Sequence, residues 1–137
     1  FPQNKKRGGA FSHPATPSTH PYVLLNHTNT RRDLFTLAHE LGHAIHQYLS
    51  RDVGYLGSDT PLTTSETASV FAEMLVFDAI KDELNAQDKR SLYASKIEDI
   101  FFFFYRQINF TKFERFVHAH EGEVDIKTLN AYWMQES

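Results

Sequence analysis

The chain has 137 residues, of which 41% are hydrophobic and 23% charged, with a net charge of -3 and no cysteine. These values are ordinary for a folded domain and exclude a disordered polymer or a disulfide scaffold, while the cysteine-free composition fits a reducing, cytoplasmic setting and leaves His, Asp and Glu to bind any metal. The longest apolar run, Ile100–Tyr105, falls far short of the roughly 20 residues of a membrane span, and the cationic cluster Lys5–Arg7 is too short to form a phosphate-binding face, so no membrane or nucleic-acid partner is expected.

Phe1 to Pro21 is rich in Pro, Gly, Ser and Thr and reads as loop, with one short strand possible in the stretch GGAFS (Gly8–Ser12). Tyr22–Asn26 (YVLLN) is a bounded apolar run and a strand candidate. Thr28, Asn29 and Thr30 are cap-type residues, and Asp33 stands where a helix N-terminus favours negative charge, so a first helix is expected from about Arg31 to about Ser50. At 100° per residue its core-facing stripe comprises Leu34, Leu37, Ala38, Leu41, Ala44, Ile45, Tyr48 and Leu49. His39, His43 and His46 share the other side with Thr36, Glu40 and Gln47.

Arg51–Pro61 is a loop, and a second helix follows through TSETASVFAEMLVFDAIKDEL with Ala68, Phe71, Ala72, Leu75, Val76, Ala79 and Ile80 at helical spacing. A third, long helix is expected from about Ala86 to His120, stopped near Gly122, and Asp125 caps a fourth. Its aromatic run Phe101–Tyr105, continued by Phe110, Phe113 and Phe116, reads as surface buried against other helices or against another part of the protein. The expected fold is mainly α: a core with a short N-terminal β segment, a histidine-bearing helix, a following Glu-bearing helix and a long third helix. Residues 1–137 read as a single domain and as a piece of a longer protein.

His39 and His43 stand at i and i+4, one turn apart on one helix face, where two imidazoles can share one ion. Glu40, turned about 100° round the helix, would set its carboxylate beside the ion, as a general base requires. Neutral imidazoles suit Zn²⁺, and a catalytic zinc takes three protein ligands with one position open. A third histidine further along the same helix is excluded, because that pattern needs Gly at position 46 and His at 49, where the chain has His46 and Leu49. Glu66, at the start of the second helix, is the preferred third ligand, with Asp59 and Glu73 as alternatives. Thr63 and Glu66 could instead form a capping box. Glu73, on the same face as Glu66, could accept a hydrogen bond from a ligand histidine, and His46 reads as a neighbour that orients or packs. His13, His20, His27, His118 and His120 have no partner at ligand spacing and read as surface residues.

The run from Pro21 to Ser50 (PYVLLNHTNTRRDLFTLAHELGHAIHQYLS), followed by TTSETASVFAEML, resembles the oligoendopeptidase F group of thimet-oligopeptidase-like zinc metallopeptidases. KKRGGAFS and FYRQINFTKFE resemble further segments of that family. The resemblance implies a mostly helical endopeptidase with a zincin-like catalytic core, whose channel admits short, unstructured peptides. It implies one zinc per chain held by His39, His43 and Glu66, with Glu40 as general base and His46 a usual motif residue outside the ligand set. Gly8, Gly9, Ala10 and Phe11, with the strand at Tyr22–Asn26, would border the channel. Family members are longer, with an N-terminal helical part and a C-terminal segment whose His and Tyr stabilise the oxyanion; Tyr132 is no substitute for that pair. The chain departs from the family at Asn29, where Gly is usual, and at His27, where an aromatic is usual.

The expected reaction is hydrolysis of internal bonds in short oligopeptides by a zinc-activated water, with Glu40 moving the proton. The alternatives are a non-catalytic zinc-binding or peptide-binding fragment, and a zinc carboxypeptidase or dipeptidase of similar chemistry.

Overall fold

The structure, a computed structural model, describes residues 8–136. The described residues are mainly helical with one two-stranded sheet, and they divide into two compact units at the Glu83–Leu84 junction. The cationic cluster Lys5–Arg7 lies outside the described residues.

In the first unit, β1 (Phe11–His13) and β2 (Tyr22–Leu24) pair antiparallel, with Phe11 opposite Leu24, Ser12 opposite Val23 and His13 opposite Tyr22. Helix α1 (Arg31–Leu49) starts where its sequence provides a cap. The Thr30 hydroxyl accepts from the Asp33 N–H, and Asp33 Oδ2 accepts from the Thr30 N–H at 2.9 Å and from the N–H and hydroxyl of Thr28, each at 2.8 Å. Between these threonines Asn29 takes φ 62°, the left-handed region that Gly occupies freely and Asn tolerates best among other residues. Asn29 therefore takes a conformation that Gly, the residue usual in the resembling family, would also adopt freely. A 3₁₀ turn (Ser50–Val53) ends α1, and α2 (Leu62–Ile80) begins behind Pro61.

Helices α1 and α2 pack closely because Gly42 faces α2: a Cβ there would lie 2.6 Å from the Ala68 carbonyl oxygen and 2.8 Å from Ser69 Cα. The buried residues of α1 are Ala38 and Gly42, one turn apart on one face, and Glu40, about 200° round the helix from Ala38 and so on another. This corrects the expected apolar stripe in part: Ala38 is buried, whereas Leu34, Leu41, Ile45, Tyr48 and Leu49 are exposed. The smallest residues permit the closest approach, and that contact outweighs the hydrophobic periodicity in deciding which face turns inward.

In the second unit, α3 (Ala86–Ala119) is capped by Asn85, whose side chain accepts from the N–H groups of Gln87 and Asp88. Asp125 caps α4 (Ile126–Glu136) by accepting from the Thr128 N–H at 2.9 Å. The two helices meet through rings: Phe116 stacks on Tyr132 at 4.1 Å, and Phe110 and Phe113 flank Trp133 at 5.6 and 5.4 Å. Within this unit α4 reaches only the C-terminal part of α3. Phe101–Tyr105 are accordingly not buried against the other described helices: every one of these rings is at least half exposed.

Candidate metal centre

One turn apart in the N-capped α1, His39 and His43 set their imidazoles edge to face, 4.8 Å between ring centres. Helix α2, drawn in at Gly42, brings Glu66 to them. Glu66 Oε2 lies 3.3 Å from His39 Nε2 and 3.6 Å from His43 Nε2, and the three atoms lie within 4.8 Å of one another. Ligand atoms around a tetrahedral ion with bonds of about 2.1 Å are separated by about 3.4 Å. The donor set and its spacing thus fit one borderline divalent cation with an open side.

A second layer holds these groups. His39 Nδ1 lies 2.7 Å from Glu73 Oε1, one α2 turn pair beyond Glu66, which fixes the ring and frees Nε2 for the cluster. Ser69, fully buried, donates its hydroxyl to Glu66 Oε2 at 2.8 Å and also to the Glu66 carbonyl at 3.0 Å. The hydrogen bond to Glu73 raises His39 above the ordinary imidazole value against the opposing effect of burial, and the charges of Glu66, Glu73 and Glu40 add to the rise. Glu40 is 8% exposed. Burial pushes its carboxyl above the usual range, while His39, His43 and a backbone hydrogen bond from Ser12 pull the other way. A buried carboxyl beside two imidazoles, poised to exchange a proton, is chemically equipped for acid–base work.

The model described as peptidase family M3 matches residues 1–137. The chain belongs to peptidase family M3. Among its M3-type relatives, an oligoendopeptidase F homologue of Borreliella burgdorferi is 34% identical over 94% of this chain and 23% of its own length. The oligopeptidase PepF of Bacillus subtilis is 36% identical over 88% of this chain and 19% of its own. A crystal structure of a protein designated a peptidase, from Chlamydophila abortus, superposes with a TM-score of 0.68 at 35% identity, covering 83% of this chain and 19% of that one. The chain spans about one fifth of the length of these relatives.

In this M3 chain His39, His43 and Glu66 converge, with Glu40 and Glu73 adjoining. Glu66 is not engaged in a capping box, because Pro61 occupies the N-cap of α2 and no side chain caps it. Glu73 takes the outer nitrogen of His39. Asp59 lines an open groove of about 340 Å³ formed with His13–Pro17, Gln47 and Arg51, away from the converging atoms. His46 is half-buried and outside the converging set. Gly8, Gly9 and Ala10 lead into β1, where Phe11 is 51% exposed, and Asn26 Nδ2 donates to the Gly9 carbonyl at 2.8 Å, tying this segment to the end of the β2 stretch. His13, His20, His118 and His120 are exposed and His27 is half-buried. The sequence reading passed over Ser69, Ser12 and Gly42. A glycine inside a helix was itself a signal of close approach; Ser12 carried none, because a strand gives no local cue to its partner.

Proposed function

We propose that this chain is the metal-bearing part of a zinc metalloendopeptidase that hydrolyses internal peptide bonds of short, unstructured oligopeptides. The convergence of His39 Nε2, His43 Nε2 and Glu66 Oε2, with the buried Glu40 alongside, carries the reading. Two imidazoles and one carboxylate would hold one Zn²⁺, which lowers the pKa of water toward about 7 and polarises a carbonyl. Glu40 would accept the proton of the attacking water on its carboxylate and return it to the leaving amine. Its burial favours the protonated form once the proton has arrived. Glu73 would keep His39 in the tautomer that presents Nε2, and His46 would support the same face of α1. Gly8 to Phe11 and β2 would border the channel in which an extended peptide lies.

On this reading the chain is a single region of a longer metallopeptidase catalytic domain, and the further segments of that protein supply the channel walls and the oxyanion donors. A cytoplasmic setting belongs to the same reading and is supported by the cysteine-free composition.

The test pairs zinc analysis with product masses. After dialysis against a weak chelator, the parent and Glu40→Gln should each retain one zinc per chain. The parent should release internal fragments from an unstructured peptide, and the variant should be slower by about 10²-fold or more. Trimming from one terminus would point to an exopeptidase, and full turnover by Glu40→Gln would remove Glu40 from the mechanism.

A further inference from the structure

Strand β1 has three residues and pairs on one side with a strand of equal length, and a lone two-stranded ribbon of that size does not hold its position in water. Its place against α1 must come from side-chain contacts. In an extended strand, the N–H and C=O of one residue leave on one side and those of its neighbours on the other. Ser12, opposite Val23 in the register, turns its carbonyl toward α1.

There Gln47 takes two groups of Ser12 at once. Its Oε1 accepts the Ser12 hydroxyl at 2.8 Å and its Nε2 donates to the Ser12 carbonyl at 3.4 Å. The remaining group, the Ser12 N–H, donates to the Glu40 carboxylate. Glu40 and Gln47 are seven residues apart, hence on one face of α1 two turns from each other. Ser12 is thus gripped between the candidate base and an amide that has no reacting part to play.

We propose that Gln47 is a positioning residue for Glu40: its paired hydrogen bonds hold Ser12 where the Ser12 N–H fixes one oxygen of the Glu40 carboxylate. The role rests on the reading of Glu40 as general base. With one oxygen held, the other is presented to the water in a constant orientation. Without Gln47, β1 drifts and Glu40 loses the donor.

The test uses protein labelled with ¹⁵N-serine and Gln47→Met, which keeps the length of the side chain and loses both bonds. Amide exchange at Ser12 should rise at least about tenfold, while Ser69 and Ser91, inside α2 and α3, keep their rates and zinc content is unchanged. In turnover, kcat should fall about tenfold with KM within about twofold. Gln47→Glu, which still accepts from the Ser12 hydroxyl, should fall between parent and Gln47→Met in both measurements. Unchanged Ser12 exchange in Gln47→Met overturns the proposal, as does an equal rise at Ser69 and Ser91. A higher KM with unchanged kcat also overturns it, by making Gln47 a substrate contact in the adjoining groove. If the parent itself cuts no peptide, the hydrolytic reading fails, and the Ser12 exchange still decides whether Gln47 holds this strand.

Discussion

His39 faces two carboxylates of the same helix: Nδ1 is hydrogen-bonded to Glu73 at 2.7 Å and Nε2 lies 3.3 Å from Glu66, two turns of α2 apart. An imidazole held this way cannot rotate away from the cluster. Replacing Glu73 by Ala should leave all three converging groups in the chain and still weaken zinc affinity by about 10–100-fold, the usual effect of removing an outer partner of a ligand histidine. A competition titration with a chromogenic chelator measures it; affinity equal to the parent's would mean that Glu73 does not orient the ring.

Removal of Glu66 should be more severe than removal of Glu73. Glu66→Ala takes away one of three donors and leaves the buried Ser69 hydroxyl only the Glu66-position carbonyl as partner. Zinc per chain after dialysis should drop to near zero, with α1 and α2 still formed by circular dichroism. Retention of one zinc would place the third donor elsewhere.

At Gly42 two effects of opposite sign can be compared. Changing it to Ala gains about 1 kcal/mol of helix propensity. The new Cβ would meet the Ala68 carbonyl oxygen at 2.6 Å, a backbone atom that yields only if the helices part, and overpacking of that kind costs about 1–3 kcal/mol. The clash should win: denaturant melts should show Gly42→Ala less stable than the parent, and zinc binding should weaken because His39 and His43 are moved off Glu66.

Asp33 accepts hydrogen bonds from Thr28 and Thr30, which hold its carboxyl well below the usual range. A depressed folded-state pKa stabilises above the unfolded value of 3.8 and loses that contribution as pH falls toward the folded value. Asp33→Ala should therefore lower the melting temperature by a few degrees at pH 7, and the gap between parent and variant should narrow below pH 3.8. A gap that stays constant with pH would assign the effect to something other than the charge.

Trp133 is the single tryptophan of the chain and lies 5.4 Å from Phe113, edge to face. Phe113→Ala should shift its emission to the red and weaken the half-buried α3–α4 contact by about 1–2 kcal/mol, read by hydrogen exchange of α4. Unchanged emission would separate the two rings in solution.

Helix α1, its cap at Thr30 and the pairing of His39 with His43 were legible because each depends on neighbours within one or two turns. Glu66 was legible more weakly, since an acid at a helix start serves equally as a cap, and only the approach of α2 separates the two uses. The buried face of α1 was misread for the complementary reason: periodicity ranks faces by hydrophobicity, and here Gly42 lets two backbones meet on the face that is poorer in apolar residues. What covers Phe101–Tyr105 was not legible, because burial depends on what lies opposite, and within its unit α4 is too short to reach that stretch. Ser12 and Gln47, separated by 35 positions, leave no periodic trace at all.

The converging atoms come from two helices joined by a 3₁₀ turn and a loop, so an ion bound there would be a cross-link between positions 39 and 66 as well as a reagent. Such a cation is a ligand of the folded state alone, and each tenfold rise in free metal above the dissociation constant adds about 1.4 kcal/mol to the stability of the helix pair. The coupling is reciprocal. Whatever loosens the seam at Gly42 raises the dissociation constant, and starvation for metal loosens the seam, so metal supply and resistance to unfolding would rise and fall together in this protein.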